Sequence, residues 1–414
     1  MGTGYRRNRR ERKEHRVTIR KLGELEFIAL IAMMFASIAF SVDTMLPALP
    51  EIGDELSPLA PNNAQFVVTS FVLGMGLGTL VVGPISDAYG RKPVILATSV
   101  LYFFGAYVSY AAATLEVLIG ARILMGIGAA VPRAVGLAIV RDLYSGRKMA
   151  QIMSFAMTVF ALVPALAPLA GSFIIDAFGW REVFLAFMIF MAIVISWYSF
   201  RQPETLPQSA RKPLKIGPLW AGVVEIFANR VALGSILTLT MTFGILFATL
   251  VSIQPVFDIT FEKGESFPWW FFLTSILAMT GSLLNARYVQ RLGMRYMVNA
   301  ALTGQVVFAF GLAVLVLTVP LPEPIYFALY YIWATSIFWI MGLTIGNLNA
   351  LALEPMGHIA GLAASVVSAS GTVLSILVAI PIGLAFDGTP VPIMIGVGIS
   401  CAVGLALMRL TKEK

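Results

Sequence analysis

Three charged residues interrupt long apolar segments of this 414-residue sequence, and they are the residues best suited to do chemistry. Asp43 lies near the end of the first apolar segment, and Arg122 and Arg133 lie within the fourth. An ionisable group inside a membrane costs free energy and usually marks a functional site. A carboxyl group at such a position can bind and release a proton, whereas a guanidinium can tune that carboxyl group or bind an anion.

The depth and spacing of these residues suggest how they are combined. If the apolar segments are helices that alternate in direction, Asp43 and Arg122 lie at similar depth near the outer ends of their helices. Arg133 follows Arg122 by eleven residues, which amounts to about 1100° of helical rotation and about 16 Å of rise, so both arginines share one face. We predict that Asp43 takes up and releases a proton, and that Arg122 tunes the pKa of Asp43 and responds when Asp43 is protonated. The alternative is a static buried ion pair that joins two helices.

Arg133 has a less certain role than Arg122. It could bind an anionic or zwitterionic substrate, or it could pair with a polar group of a loop. The sequence leaves both interpretations open.

The composition identifies the elements that must position these residues. Apolar residues make up 58% of the chain and charged residues only 12%, against about 25% charged residues in a soluble domain. Twelve charge-poor windows are present, nearly all of them long enough for a membrane-spanning helix. This composition excludes a cytosolic enzyme, a secreted domain and a disordered protein, and it argues against nucleic-acid binding despite a formal charge of +7.

The distribution of basic residues predicts the orientation. With the N-terminus in the cytoplasm, 25 of the 29 Lys and Arg residues fall on the cytoplasmic side and only Arg181 and Lys263 on the other. Such an excess is typical of cytoplasmic loops, so both termini are expected inside. The one cysteine, Cys401, provides no disulfide or metal framework, and we expect neither a metal nor a cofactor.

A proline-rich connection after the sixth window divides the chain into two halves, and the segment 83–93 has a weaker echo at 286–295. Internal repeats of this kind are common in transporters. The predicted division is a basic cytoplasmic tail at 1–23, a six-helix bundle at 24–200, a cytoplasmic linker at 201–228, a second bundle at 229–409 and a short tail at 410–414.

The segment 83–93 resembles the loop signature of the major facilitator superfamily. The matching residues are Gly83, Asp87, Gly90, Arg91 and Lys92. The resemblance implies an all-α membrane protein of twelve transmembrane helices in two six-helix pseudo-symmetric bundles. It also implies that this loop is part of a gate, in which Asp87 accepts hydrogen bonds from Arg91 or from a facing helix N-terminus.

Further segments resemble the drug:proton antiporter group of that superfamily. The fourth window opens its motif with Arg122 and ends with Arg141 and Asp142, and the fifth carries Pro164 and Pro168, with Ala-Pro in place of the usual Gly-Pro. The segment around Asp43 is similar to the bicyclomycin and chloramphenicol resistance (Bcr/CflA) branch. The resemblance implies a proton-coupled antiporter that exports a small amphipathic drug or metabolite by alternating access, with Arg122 in coupling and Arg141, Asp142 and both prolines in gating.

Other polar and aromatic residues are candidates for the substrate site. Tyr102, Gln254 and Trp339 could line a cavity together with Asp43, Arg122 and Arg133. Ordinary helix packing is the alternative role for each of the first three, and a stripe of Ser70, Gly74 and Gly78 favours packing.

The expected partners are a small-molecule substrate, protons and membrane lipid, with the protein a monomer in a bacterial inner membrane. No nucleotide-binding loop or catalytic motif is present, so we do not expect an enzyme. Two other functions stay open: a proton symporter or facilitator that imports a solute, and a non-transporting sensor or scaffold that uses the basic tail.

Overall fold

A computed structural model describes residues 22–211 and 213–411, except for the side chains of Ala150 and Ala161. The basic tail at 1–21 and the last three residues lie outside the described residues, so the roles that the sequence suggests for the tail stay predictions. Throughout the described ranges the secondary structure is helical, without strands.

Fourteen α-helices follow one another along the described chain, and two of them, α2 and α8, are too short to cross a membrane. Their bounds are α1 Glu24–Asp43, α2 Leu49–Leu56, α3 Phe66–Tyr89, α4 Arg91–Tyr110, α5 Leu115–Leu143, α6 Gly146–Phe178, α7 Glu182–Arg201, α8 Ile216–Ala228, α9 Arg230–Pro255, α10 Phe267–Leu292, α11 Met294–Thr318, α12 Glu323–Leu353, α13 Ala360–Leu384 and α14 Val391–Leu407.

The predicted twelve spans are confirmed. Eleven helical stretches of the described chain are long and apolar enough to cross a membrane, and the longest, Glu323–Leu384, covers 62 residues. That stretch contains α12 and α13, which are separated at Met356, where φ is −108° and ψ is 25°. The first stretch runs from Glu24 to Leu56 because a short 3₁₀ turn at Leu46–Ala48 joins α1 to α2.

The spanning helices form two six-helix bundles, as the sequence predicts. The first contains α1 and α3–α7, and the second contains α9–α14. They meet chiefly where α3 packs on α13 and α6 packs on α10. Within the first bundle, α3 and α5 are in close contact. A Cβ on Gly78 would lie only 2.8 Å from the carbonyl oxygen of Ile127, so glycine is needed at this position. The predicted packing role of the glycines at 74 and 78 is therefore confirmed.

The linker contains a helix that the sequence analysis did not predict. Pro218 lies in the first turn of α8, where a missing N–H is tolerated. Gly222 of α8 packs against Leu362 of α13, and Glu225 Oε1 lies 2.9 Å from His358 Nε2. The linker helix is thus attached to the second bundle.

A hydrogen bond joins the two bundles at one of their two ends. We call the end that carries both ends of the described chain the terminal face, and the other end the opposite face. At the opposite face, Asn62 Nδ2 of the first half donates a 2.8 Å hydrogen bond to the carbonyl oxygen of Phe386 in the second. A small cavity of about 180 Å³ remains beside this contact, with Asp54 and Asp258 on its two sides.

Candidate functional site: two arginines and an embedded carboxyl group

Asp43 occupies the last position of α1, and its side chain is 7% exposed. No hydrogen bond or ion pair of its carboxyl group is found among the described residues. The next residue, Thr44, is in close contact with α6, because Gly171 of α6 lies directly against the Thr44 carbonyl oxygen. The part of α6 that follows Pro164 and Pro168 therefore packs on the backbone next to Asp43.

Arg122 is fully buried in α5 and is held by backbone carbonyl groups. Its Nε donates a 3.0 Å hydrogen bond to the carbonyl oxygen of Val67 in α3, and its Nη2 donates one of 3.0 Å to that of Ser41 in α1. The guanidinium carbon also lies 4.4 Å from the ring centroid of Phe71, which is a cation–π distance. Arg122 thus ties three helices together.

Asp43 and Arg122 are neighbours in depth but are not an ion pair in this conformation. Their described contacts include no N···O distance within 4.0 Å. The link between them runs through the backbone of α1, because Arg122 binds the carbonyl oxygen two residues before Asp43. The static ion pair that the sequence offers as an alternative is absent here.

Tyr102 belongs to the same buried cluster. Its side chain is 1% exposed, and its hydroxyl group shares a 2.7 Å hydrogen bond with the Ser41 hydroxyl group. This arrangement places Tyr102 behind Arg122, between α1 and α4, and away from open space. A role in holding Ser41 fits this position better than direct contact with a substrate in this conformation.

Arg133 has a different environment on the same helix. It is exposed, and its guanidinium carbon lies 5.9 Å from the ring centroid of Phe160 in α6. No hydrogen bond or ion pair of its side chain is found within the described residues. The shared face predicted for the two arginines therefore contains one enclosed and one open guanidinium.

The two candidates of the second bundle lie apart from this cluster. Gln254 is 6% exposed near the end of α9, and its side-chain oxygen has no hydrogen-bond partner. Trp339 is half-buried in α12, and its Nε1 donates a 3.0 Å hydrogen bond to Thr280 Oγ1 of α10. The structure joins neither residue to Asp43, Arg122 or Arg133 by a hydrogen bond.

The signature loop forms an ion network around Arg91 at the terminal face. Arg91 is 2% exposed, and it pairs with Asp87 at 2.6 Å and with Asp142 at 3.1 Å. The predicted hydrogen bond from Arg91 to Asp87 is confirmed. Gly90 has a φ of +102°, a left-handed conformation that favours glycine, and it lets the chain turn directly from α3 into α4.

Glu204 is a member of this network that the sequence analysis missed. Its carboxylate accepts hydrogen bonds of 3.1 Å from the Arg91 N–H and 2.9 Å from the Lys92 N–H, at the N-terminus of α4. Lys92 Nζ in turn donates 2.6 Å to the carbonyl oxygen of Ser199. A carboxylate is favourable at a helix N-terminus, so an acid just beyond the sixth span was the available signal.

The other predicted gating residues are distributed between the bundles. Gly83 lies at the contact of α3 with α13, where a Cβ would be 3.2 Å from Ser365 Oγ. Arg141 is exposed near the end of α5. Pro164 and Pro168 both lie inside α6, which continues through them from Gly146 to Phe178.

The second half repeats the backbone of the signature loop without its acidic residue. Gly293 has a φ of +86°, close to that of Gly90, and it joins α10 to α11 as Gly90 joins α3 to α4. Gln290 stands where the first half has Asp87. The network of ion pairs is thus a property of the first bundle.

These features define a class of protein: a helical membrane transporter with two bundles and charged residues buried in one of them. The model of the Major Facilitator Superfamily matches residues 29–380. The chain belongs to this superfamily, which is one of transporters rather than enzymes.

Relatives and solved structures agree with this assignment. The bicyclomycin resistance protein homolog of Haemophilus influenzae is 29% identical over 280 residues, which cover 67% of this chain and 70% of the relative. The uncharacterized MFS-type transporter YdgK of Bacillus subtilis is 27% identical over 393 residues, which cover 93% and 95%. A crystal structure of a D-xylose-proton symporter superposes with a TM-score of 0.74 at 14% identity, covering 93% and 97%. The resemblance to the drug:proton antiporter group and to its bicyclomycin resistance branch is thereby confirmed.

Proposed function

We propose that this chain is a proton-coupled antiporter that exports a small amphipathic drug or metabolite by alternating access. We further propose that it acts in a bacterial inner membrane with the terminal face in the cytoplasm. The 25-to-2 distribution of basic residues supports that orientation. The names of two relatives, a bicyclomycin resistance protein homolog and a chloramphenicol resistance protein, support export of a toxic solute.

The observation that carries the proposal is the unpaired carboxyl group of Asp43 beside the carbonyl-bound guanidinium of Arg122. Asp43 has no hydrogen bond that fixes its protonation state, so it is suited to take up and release a proton as hydration changes. A change at Asp43 reaches Arg122 through the Ser41 carbonyl group. It also reaches α6 through Thr44 and Gly171.

Alternating access then requires that the two ends open in turn. The hydrogen bond from Asn62 to the carbonyl group of Phe386 supports a closed opposite face. The exposed Arg133 supports a cleft that opens on the terminal face. When the terminal face closes, we expect the Arg91 network to become part of the contact between the bundles, because Gly83 lies on α3, the helix that carries Asp87, and is already next to Ser365 of α13.

Import by symport is the competing function within the same fold. The D-xylose-proton symporter shares this fold at 14% identity, so the fold alone does not choose a direction. One experiment must therefore measure both the direction in which the solute moves and its dependence on the proton gradient.

The test uses purified full-length protein in proteoliposomes with an imposed pH gradient, and chloramphenicol as the first probe. We expect movement of the probe against the proton flux, and we expect Asp43→Asn to abolish the dependence on the gradient. Asp176→Asn is the matched control, because Asp176 is an exposed acid near the end of α6. Gradient-driven export that survives in Asp43→Asn would refute the coupling role, and movement with the protons would favour symport.

A further inference from the structure

Arg133 lies beside one of the helices through which the two bundles meet. It lies about 20° around α5 from Arg122, which contacts α1 and α3, and its own nearest aromatic group is Phe160 of α6. The helices α3 and α6 are those through which the first bundle meets the second. Arg133 is exposed, and a charged side chain within a span almost always faces the bundle interior or a water-filled cavity rather than lipid. Its exposure beside α6 therefore indicates a cleft that reaches it near the contact between the bundles.

The same face of α5 shows where this cleft opens. Leu137, one turn nearer the terminal face, is 47% exposed, and Arg141, one turn further, is also exposed. Arg133 lies ten residues before the end of α5 at Leu143, which corresponds to about 15 Å of helix. Exposed side chains therefore follow α5 from Arg133 to the terminal face, which is the direction in which we expect the cleft to open.

No carboxylate of the described spanning helices is placed to neutralise Arg133. Each acidic residue in those helices lies within three residues of a helix end. Asp43 lies at the depth of Arg122, about 16 Å from Arg133 along the α5 axis. Asp142 is already bound by Arg91 and Thr205. The spans of the second bundle contribute no acid away from their ends.

Arg133 thus differs from a structural arginine. A guanidinium inside a membrane protein is normally paired with an acid or with carbonyl groups, as Arg122 is. Within the described residues, the guanidinium of Arg133 has the ring of Phe160 as its one aromatic contact and no hydrogen bond, so its five N–H donors are available to a ligand. A carboxylate, sulfonate or phosphate group matches the planar fork of such a guanidinium in two parallel hydrogen bonds.

We propose that the transported solute carries an anionic group that binds Arg133, while its aromatic or apolar part lies against Phe160. This inference rests on the proposed function in one respect, namely that the cleft is the site of a transported solute. It adds the charge of that solute and the residue that selects it.

The experiment measures equilibrium binding, which needs no proton gradient. Three probes share one ring system and differ in charge: 2-naphthoate is anionic, 2-naphthamide is neutral, and 2-naphthylmethylammonium is cationic. Binding of each to the purified full-length protein is measured by calorimetry, alongside the melting temperature. We expect 2-naphthoate to bind more tightly than the amide, and Arg133→Gln to weaken 2-naphthoate by about 10-fold to 100-fold while leaving the amide within a factor of two.

Two further variants separate position from charge. Arg133→Lys keeps the charge but not the planar fork, so it should retain only part of the preference for the anion. Arg147→Gln removes the same charge at an exposed position at the start of α6 and should leave all three affinities unchanged. Because Arg133 is exposed and unpaired, we expect each Arg133 variant to fold.

The outcomes distinguish this inference from the proposed function. If 2-naphthoate binds wild type no better than 2-naphthamide, or if Arg133→Gln weakens both by the same factor, Arg133 does not select an anion. That result leaves proton-coupled export of chloramphenicol intact. Conversely, an Arg133-dependent preference for 2-naphthoate stands even if Asp43→Asn leaves gradient-driven transport unchanged.

Discussion

Arg122 and Arg133 are the same residue type on the same face of the same helix, and the fold treats them in opposite ways. Arg122 is enclosed, with two backbone carbonyl groups as acceptors and the Phe71 ring as a neighbour. Arg133 is exposed, and its guanidinium carbon lies 5.9 Å from the ring centroid of Phe160. The difference arises because α1 and α3 close around α5 at the depth of Arg122, whereas Arg133, eleven residues further along α5 and beside α6, stays exposed. A buried guanidinium with fixed acceptors is part of the structure, and an open one is available to a ligand.

The strongest way to test this contrast is to remove the enclosed arginine. Arg122→Ala leaves the carbonyl groups of Ser41 and Val67 without their charged donor and creates a cavity, so we expect a loss of about 3 kcal/mol or more in the free energy of unfolding. Thermal or chemical unfolding of the purified protein in detergent measures it. Arg122→Met keeps more of the volume and should lose less. A neutral result for both variants would mean that the guanidinium is not held as described.

The second test compares how fast a water-soluble reagent reaches the positions of the two arginines. In a Cys401→Ser background, which removes the one cysteine of the chain, Arg133→Cys should react with a membrane-impermeant maleimide at least about 100-fold faster than Arg122→Cys, because a buried site reacts only through rare local opening. Inside-out vesicles should show this reaction and right-side-out vesicles should not, if the terminal face is cytoplasmic. Equal rates at the two positions would remove the distinction between them.

Two glycines of α5 provide a third test. Gly126 of α5 lies directly against the carbonyl oxygen of Phe71, so Gly126→Ala should push α3 away and cost about 1–3 kcal/mol of unfolding free energy. Gly120 on the same helix has open space where a Cβ would lie. Gly120→Ala should therefore stabilise the protein by up to about 1 kcal/mol, because alanine is the better helix former. A Gly126→Ala variant as stable as the wild type would show that α3 and α5 are not in tight contact at this position.

The sequence predicted the parts of this comparison that depend on helical periodicity. Twelve apolar windows, the similar depth of Asp43 and Arg122, and the common face of Arg122 and Arg133 all follow from spacing. The environment of each arginine does not, because exposure depends on where neighbouring helices separate. The carbonyl acceptors of Arg122 were also unpredictable, since each backbone carbonyl group looks alike in a sequence.

The linker shows a second limit of prediction from sequence. Its prolines indicated only a connection between the two halves, but the apolar segment from Ile216 onward tolerates Pro218 in its first turn and folds as α8. Glu204 was overlooked because a single acid in a polar segment is unremarkable until the N-terminus of α4 is placed beside it. Contacts between segments distant in sequence, rather than local propensity, decide both cases.

The smallest expected effect is at the open arginine. Because Arg133 has no described hydrogen bond or ion pair to lose, Arg133→Ala should change the free energy of unfolding by no more than about 0.5 kcal/mol, as an exposed substitution does. The measurement is the same detergent unfolding that is used for Arg122→Ala, so the two variants are compared directly. A loss as large as that of Arg122→Ala would show that Arg133 is a structural residue, and the charge of a bound solute would then have to be recognised elsewhere in the cleft.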